Sequence, residues 1–453
     1  VVMDNHKYGD FNPYLFKTTD LGKSWKSIKN NLPDRQILWR IVQDHMNPKL
    51  LFLGAEFGIY FTIDAGINWI KFEGGLPTIS VRDLAIQRRE NDLIAASFGR
   101  SFYVLDDYSV LRDVSVDKLR QEASLFSVKD ALWYMPRPVI SYEEKGSQGA
   151  GYFTAPNPPF GAVFTYYLKE DLKSKKEIRQ EKEKELIEQN KNVTFPGWNE
   201  VETERREEGP RIWLTVSDED GNVIRKVEGP IEKGFHRVAW DLRYASLTAI
   251  DLKEELKDEI PSGVMVAPGT YTVTLSKQVD GTTTLLSGPE KFNVVQLYDG
   301  SLEGSTPEET AKFWKEIADL HKSVSAFTLS LKNALKKADA FNIAFSRSTS
   351  PPGNLNTEIH DLKQKLFELD EKLNGNHSKE EIGEHYPPTI LRRIGRIFNG
   401  TRNSTYGPTQ THRKSLEIAN SEFSEMKAEF DDLMNDMNRI ERSLVRAGAP
   451  IIE

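Results

Sequence analysis

The 453-residue chain contains no cysteine. That excludes disulfides, thiolate metal sites and a cysteine nucleophile. No apolar run approaches the ~20 residues that carry a helix across a bilayer. A phosphate-binding glycine loop, a His-Glu-x-x-His pattern and a calcium loop are all missing. The eight histidines are scattered without metal-ligand spacing, so no metal and no other cofactor is expected. Net positive charge is lacking too. The balance is −8, with no evident basic face to offset phosphate repulsion, so nucleic acid is not an expected partner.

What is present is a packing composition. Hydrophobic residues make up 38% and charged residues 28%, which suits a folded chain rather than a disordered one. At ~100–200 residues per domain, two to four domains are expected. The chain opens on "VVMDNH", which reads as the middle of a strand. The expectation is a longer precursor whose preceding part carries any export signal.

The first hundred residues repeat. "TTDLGKSW" (Thr18, Asp20, Gly22, Trp25) returns as "TIDAGINW" (Thr62, Asp64, Gly66, Trp69), with the acids 44 residues apart. That spacing suits a four-stranded propeller blade. "LLFLGAEFGIYFTIDAG" has a third counterpart in "NDLIAASFGRSFYVLDD", which keeps Asp106 and Asp107 where the box would stand. The box has a structural reason. Its Asp can accept amide hydrogens of its own turn, its Gly can take positive φ, and its Trp can fill the gap between neighbouring sheets. Asp20 and Asp64 are therefore expected to be structural.

These repeats resemble the Asp-box, or bacterial neuraminidase repeat, of sialidases, sortilin-type receptors and xyloglucanase-type glycoside hydrolases. "FNPYLFKTTDLGKSW", "LPTISVRDL", "NDLIAASFGRSFYVLDD" and "VLRDVS" resemble the last blades of a large bacterial family described as sortilin-like or glycosyl-hydrolase-like. The family pattern has His-Gly-Arg at the third copy; this chain has Phe98-Gly99-Arg100, so any chemistry of that histidine is gone. Two and a half blades cannot close a wheel, since propellers have roughly four to eight blades or more. Preceding blades, from the same polypeptide or another chain, are thus an expected partner, because an open sheet edge invites pairing.

The middle reads as β-sandwich. Ala162–Leu168, "RIWLTVSDEDGNVIRKVEG", "KGFHRVAWDLRY" and "VAPGTYTVTLSKQVDGTTTLL" supply short strands separated by turn residues, an Ig-like pattern. "FHRVAWDLRY" and "APGTYTVTL" also resemble the sandwich of that bacterial family. Residues 169–191 hold eight basic and seven acidic side chains, a solvated helical insertion with i,i+4 pairs. His236 and Asp241 start on opposite strand faces, so a structural ion pair or interface contact is expected there rather than catalysis.

The end is helical. Thr306, Pro307 and Glu309 make a capping box, and Phe313, Ile317, Leu320, Val324, Phe327, Leu331 and Leu335 form a heptad seam. Ile359–Leu373 and Leu416–Leu444 carry further seams. The expected architecture is thus multidomain, mainly β followed by α. Residues 1–113 would be the incomplete terminal blades of an Asp-box β-propeller and 114–160 a linker. Residues 161–300 would be an Ig-like β-sandwich with a charged helical insertion at about 169–210. Residues 301–453 would be an antiparallel α-helical bundle.

Three functions fit. The first is a secreted or cell-envelope bacterial protein, extracellular or periplasmic, whose propeller binds a glycan or polypeptide while sandwich and helices act as scaffold. The second is a glycoside hydrolase of sialidase or xyloglucanase type, which needs two carboxylates ~5–9.5 Å apart, mostly from preceding blades. The third is a structural assembly component using the long helices. No complete catalytic set is present; Asp83, Arg100, Asp106 and Asp107 are the candidate ligand-facing residues.

Overall fold

The computed structural model describes residues 1–136, 155–253, 261–351 and 353–452. Residues 137–154, part of the expected linker, lie outside the described residues.

The chain begins as three consecutive antiparallel sheets. The first holds β1 (Val2–Asn5), β2 (Asp10–Lys17) and β3 (Lys26–Ser27). The second holds β4 (Leu38–Gln43), β5 (Leu51–Ala55), β6 (Gly58–Thr62) and β7 (Ile70–Lys71). The third holds β8 (Val81–Gln87), β9 (Asp92–Ser97) and β10 (Phe102–Leu105). The sheets stack face to face because strand side chains alternate with period two. Leu51, Leu53 and Ala55 face the first sheet, joining Leu15, Leu38 and Trp69 in one core. Leu50 and Phe52 face the third, joining Val81, Leu84, Leu93 and Tyr108 in another. All five residues of β5 are buried.

The two outer faces of this stack are apolar and open. On the first sheet Leu15 points inward, which turns Met3, Tyr14 and Phe16 outward; Met3 is 52% exposed, and the Tyr14 and Phe16 rings stack at 6.5 Å. On the third, Tyr103 and Leu105 point inward while Phe102 and Val104 stand 69% and 55% exposed.

After β10 come a short 3-10 turn (Tyr108–Arg112) and α1 (Val116–Arg120). The next strands are β11 (Ala123–Leu125), β12 (Ala131–Trp133), β13 (Ala162–Leu168), β14 (Arg211–Ser217), β15 (Val223–Gly229) and β16 (Gly234–Trp240). They are followed by β17 (Arg243–Ala245), β18 (Ser262–Met265), β19 (Gly269–Val279) and β20 (Thr282–Gln296). A three-stranded sheet, β11-β13-β16, and a five-stranded sheet, β12-β20-β19-β14-β15, share one core. Ile212, Leu214 and Val216 alternate inward and are fully buried. Between β13 and β14 the charged segment forms α2 (Lys175–Glu188) and α3 (Trp198–Arg206). Arg179 ties them together, donating to Glu183 and Glu204. His236 and Asp241 form no ion pair with each other. The His236 ring sits against the Glu232 carbonyl oxygen and Asp241 accepts from the Ser262 hydroxyl.

The C-terminal region is helical: α4 (Pro307–Ser346), α5 (Asn354–Asn374), α6 (His377–Glu381), α7 (Ile390–Arg402) and α8 (Gln410–Arg446). Thr306 and Glu309 cap α4 reciprocally. The seam residues of α4, α5 and α8 are buried apart from Leu335, which packs at the margin. Each such side chain contributes roughly 1.5–3 kcal/mol. Lys363 meets Asp339, and Lys372 meets Glu429, so α5 runs antiparallel to both α4 and α8. The long helices α4 and α8 run parallel, with Phe327 against Phe423 and Phe430, and Lys337 on Glu441. This follows from an odd number of long helices: an up-down-up path puts the first and third in one direction. The core continues without a break from these two sheets into the helices.

Candidate functional site

The two box turns fold alike. In the first, Thr18 Oγ1 donates to Asp20 (2.8 Å) and accepts from the Gly22 amide (2.9 Å); the Ser24 amide and hydroxyl donate to Asp20 (2.9 and 2.6 Å). In the second, Thr62 Oγ1 donates to Asp64 (2.6 Å) and accepts from Gly66 (3.0 Å). The Ile67 and Asn68 amides, and the Asn68 side chain, donate to Asp64 (3.0, 2.9 and 2.7 Å). Gly22 and Gly66 both have φ near +90°, a conformation glycine adopts without strain. The Ser24 hydroxyl and amide lower the Asp20 carboxyl to about 2. Burial alone would raise the Asp64 carboxyl, but bonds from Asn68 and Thr62 outweigh it and hold it below its usual value. Trp69 is 4% exposed and donates its indole N–H to the Ile28 carbonyl of the preceding sheet (2.9 Å). Trp25 does not fill a gap between sheets; it is 49% exposed, because among the described residues no sheet lies against its side of the stack.

The boxes occupy the β2–β3 and β6–β7 turns. The opposite end of the stack carries the β1–β2, β5–β6 and β9–β10 turns. Each of these turns presents an aromatic ring followed by a glycine of positive φ: Tyr8-Gly9, Phe57-Gly58 and Phe98-Gly99. The rings are 88%, 48% and 68% exposed. Beneath them runs a chain of contacts. His6 meets the Trp39 ring edge-on at 5.6 Å, and the Arg82 guanidinium lies 3.6 Å from the Trp39 ring and 5.2 Å from Phe98. Glu56 accepts from the Trp39 indole and the Ser80 hydroxyl, both at 2.9 Å. Stacked guanidinium and indole hold each other flat, and Glu56 lies 3.8 Å from that guanidinium, so this end is a preorganised platform of rings edged by paired charges.

Two of the four candidate ligand-facing residues lie at this end. Asp83, near the start of β8, pairs with Arg40 at 3.2 Å, and Arg100 is exposed in the β9–β10 turn. Asp106 and Asp107 lie at the other end, beyond β10. Burial and the charge of Asp92 push the Asp106 carboxyl up, with Arg237 opposing. Asp107 caps the short turn by accepting from the Ser109 amide at 3.2 Å. The four therefore do not form one site. Sequence reasoning missed Trp39, Glu56 and Arg82. The repeated aromatic–glycine pair, once per sheet, was the available signal.

It also missed a buried cluster tying the second sheet to the third. Asp44 accepts from the Tyr108 hydroxyl (2.7 Å), from Arg112 in bidentate fashion (2.9 and 2.7 Å) and from the Asn47 amide (2.6 Å). Burial would raise its carboxyl, yet Arg112 and Tyr108 hold it well below the usual range. Every partner is satisfied inside the fold, the mark of a structural staple. Among the described residues no group of acids and histidines is arranged to hold a metal, and no helix is long and apolar enough to cross a membrane.

No protein-family model and no curated protein sequence matches the chain. Among solved structures it is similar to the extracellular domain of the putative one component system BT4673 from B. thetaiotaomicron. Identity is 9% over 62% of this chain and 28% of that one, at a TM-score of 0.18. A structure of the extracellular domain of the putative hybrid two component system BT4673 gives 10% identity over the same shares, again at 0.18. The chain spans little more than a quarter of either structure's length.

Proposed function

We propose that residues 1–113 are three sectors of an Asp-box β-propeller of the sortilin-like, sialidase-superfamily kind, belonging to an exported bacterial protein that binds a glycan. The two β-sheets that follow act as an Ig-like sandwich and the long helices as a bundle, both serving as scaffold. Further sheets, from the same polypeptide or another chain, cover Met3, Tyr14 and Phe16 on one side and Phe102 and Val104 on the other.

The observation that carries this reading is the row of Tyr8, Phe57 and Phe98, one exposed ring per sheet at the end opposite the boxes. Flat rings flanked by Arg82 and Arg100 suit the apolar faces and hydroxyls of sugar rings. The acids nearby are engaged, Asp83 by Arg40 and Glu56 by Trp39 and Ser80, which favours holding a ligand over cleaving one. Glycan-array binding of the protein, followed by titration of the best ligand, is the test. Phe57→Ala with Phe98→Ala should weaken binding at least about tenfold, or 1.4 kcal/mol. Binding of peptides but no glycans would move the assignment to a polypeptide ligand. Sugar release lost on Asp83→Asn would replace binding with hydrolysis.

A further inference from the structure

A second site is built from other elements than those that carry the rings. Where α4 and α7 cross the edge formed by β15, β17 and β18, the two layers leave an open-mouthed cavity of about 520 Å³. That is within the usual size of small-molecule sites, which favour such junctions between layers. Its walls are mainly apolar, with Val264 from the sheet, Ile317 from α4, and Leu391, Ile394 and Phe398 from α7.

One residue has no packing reason to be what it is. Gly395 lines the cavity from the interior of α7. Glycine there costs about 1 kcal/mol relative to alanine. It makes no turn of positive φ, and a Cβ built on it would meet nothing within 4 Å. Gly400 in the same helix is different, since a Cβ there would fall 2.7 Å from the His412 ring. The bare backbone at Gly395 keeps space open rather than letting two elements approach.

The polar groups set the ligand's charge. Lys315 stands at the rim with its ammonium 5.8 Å from the Tyr244 ring. Asp319 is the one acid of the described lining, and His321 lines the cavity too. Beyond the lining, Arg402 lies 5.4 Å from the Phe398 ring, and Arg243 donates to the Gly263 carbonyl at 3.2 Å with Asp241 beside it. The cavity is thus apolar within, and Lys315 is the one lysine or arginine of its described lining.

We propose that this cavity binds a small amphipathic carboxylate, its apolar body lying over Gly395 and its head toward Lys315. Decanoate titrated into the intact protein by calorimetry tests this, with decanol and decylamine as comparisons. Decanoate should bind most tightly and decylamine least. Gly395→Leu should fill the space, lowering decanoate affinity at least about tenfold while the thermal midpoint holds or rises. Gly395→Ala, which folds more readily, should show the same directions to a smaller degree. Lys315→Gln should weaken decanoate and leave decanol unchanged. Absence of decanoate binding, a preference for decylamine, or unchanged affinity in both glycine variants would overturn the proposal.

Discussion

The two Thr-x-Asp-x-Gly-x-x-Trp turns share their bonding yet differ in what their tryptophans do. Trp69 is buried against the preceding sheet, and its indole reaches Ile28. Trp25, at the same place in the same turn, is half exposed. The hydroxyl–carboxylate–amide turn is therefore a local device, formed by eight consecutive residues wherever they occur. Burial of the tryptophan is a tertiary event that needs a neighbouring sheet with Ile28 and Asn31 in place. The Asn31 amide group brackets Trp69, accepting from its backbone N–H at 2.7 Å and donating to its carbonyl at 2.9 Å.

That difference can be broken by mutation. Trp69→Ala should cost about 3–5 kcal/mol in chemical denaturation, as large core aromatics do. Trp25→Ala in the same chain should cost under about 0.5 kcal/mol, the range of exposed substitutions. Equal costs would end the distinction. A smaller effect follows for Thr62→Val and Thr18→Val. Each removes the hydroxyl that links acid to glycine amide, and each should cost about 1 kcal/mol, alike in both boxes because the turn is local. The least effect is expected from acid. The Asp20 carboxyl has a folded value lowered to about 2 against an ordinary 3.8. Its stabilisation is therefore complete above about pH 4 and lost as pH falls toward about 2. Asp20→Asn should lower the thermal midpoint slightly above pH 5 and flatten its fall across that window.

What was legible in the sequence was whatever is local or periodic. The boxes, the cap at Thr306 and the helix seams are short-range patterns, and those residues lie in turns, at a helix start and in a core. Contacts between distant residues were not legible. Asp44 meets Tyr108 and Arg112 across 64 and 68 positions, and Trp39 meets Arg82 across a whole sheet. No spacing announces such pairs. The parallel course of α4 and α8 also escaped, because seams state which face is buried and not which helix covers it. The cavity beside Gly395 escaped for the same reason. A helix glycine reads as a weak point until the space over it is seen.

The account rests on the two open apolar faces being covered by further sheets in the working protein. The chain has no cysteine, so Met3→Cys or Val104→Cys introduces a single thiol on one face or the other. The most direct measurement is the labelling rate of that thiol in the protein produced from its own gene locus, against the rate in residues 1–453 alone. Coverage predicts labelling at least about tenfold slower in the former, since a buried edge excludes the reagent. Equal rates on both faces would contradict it.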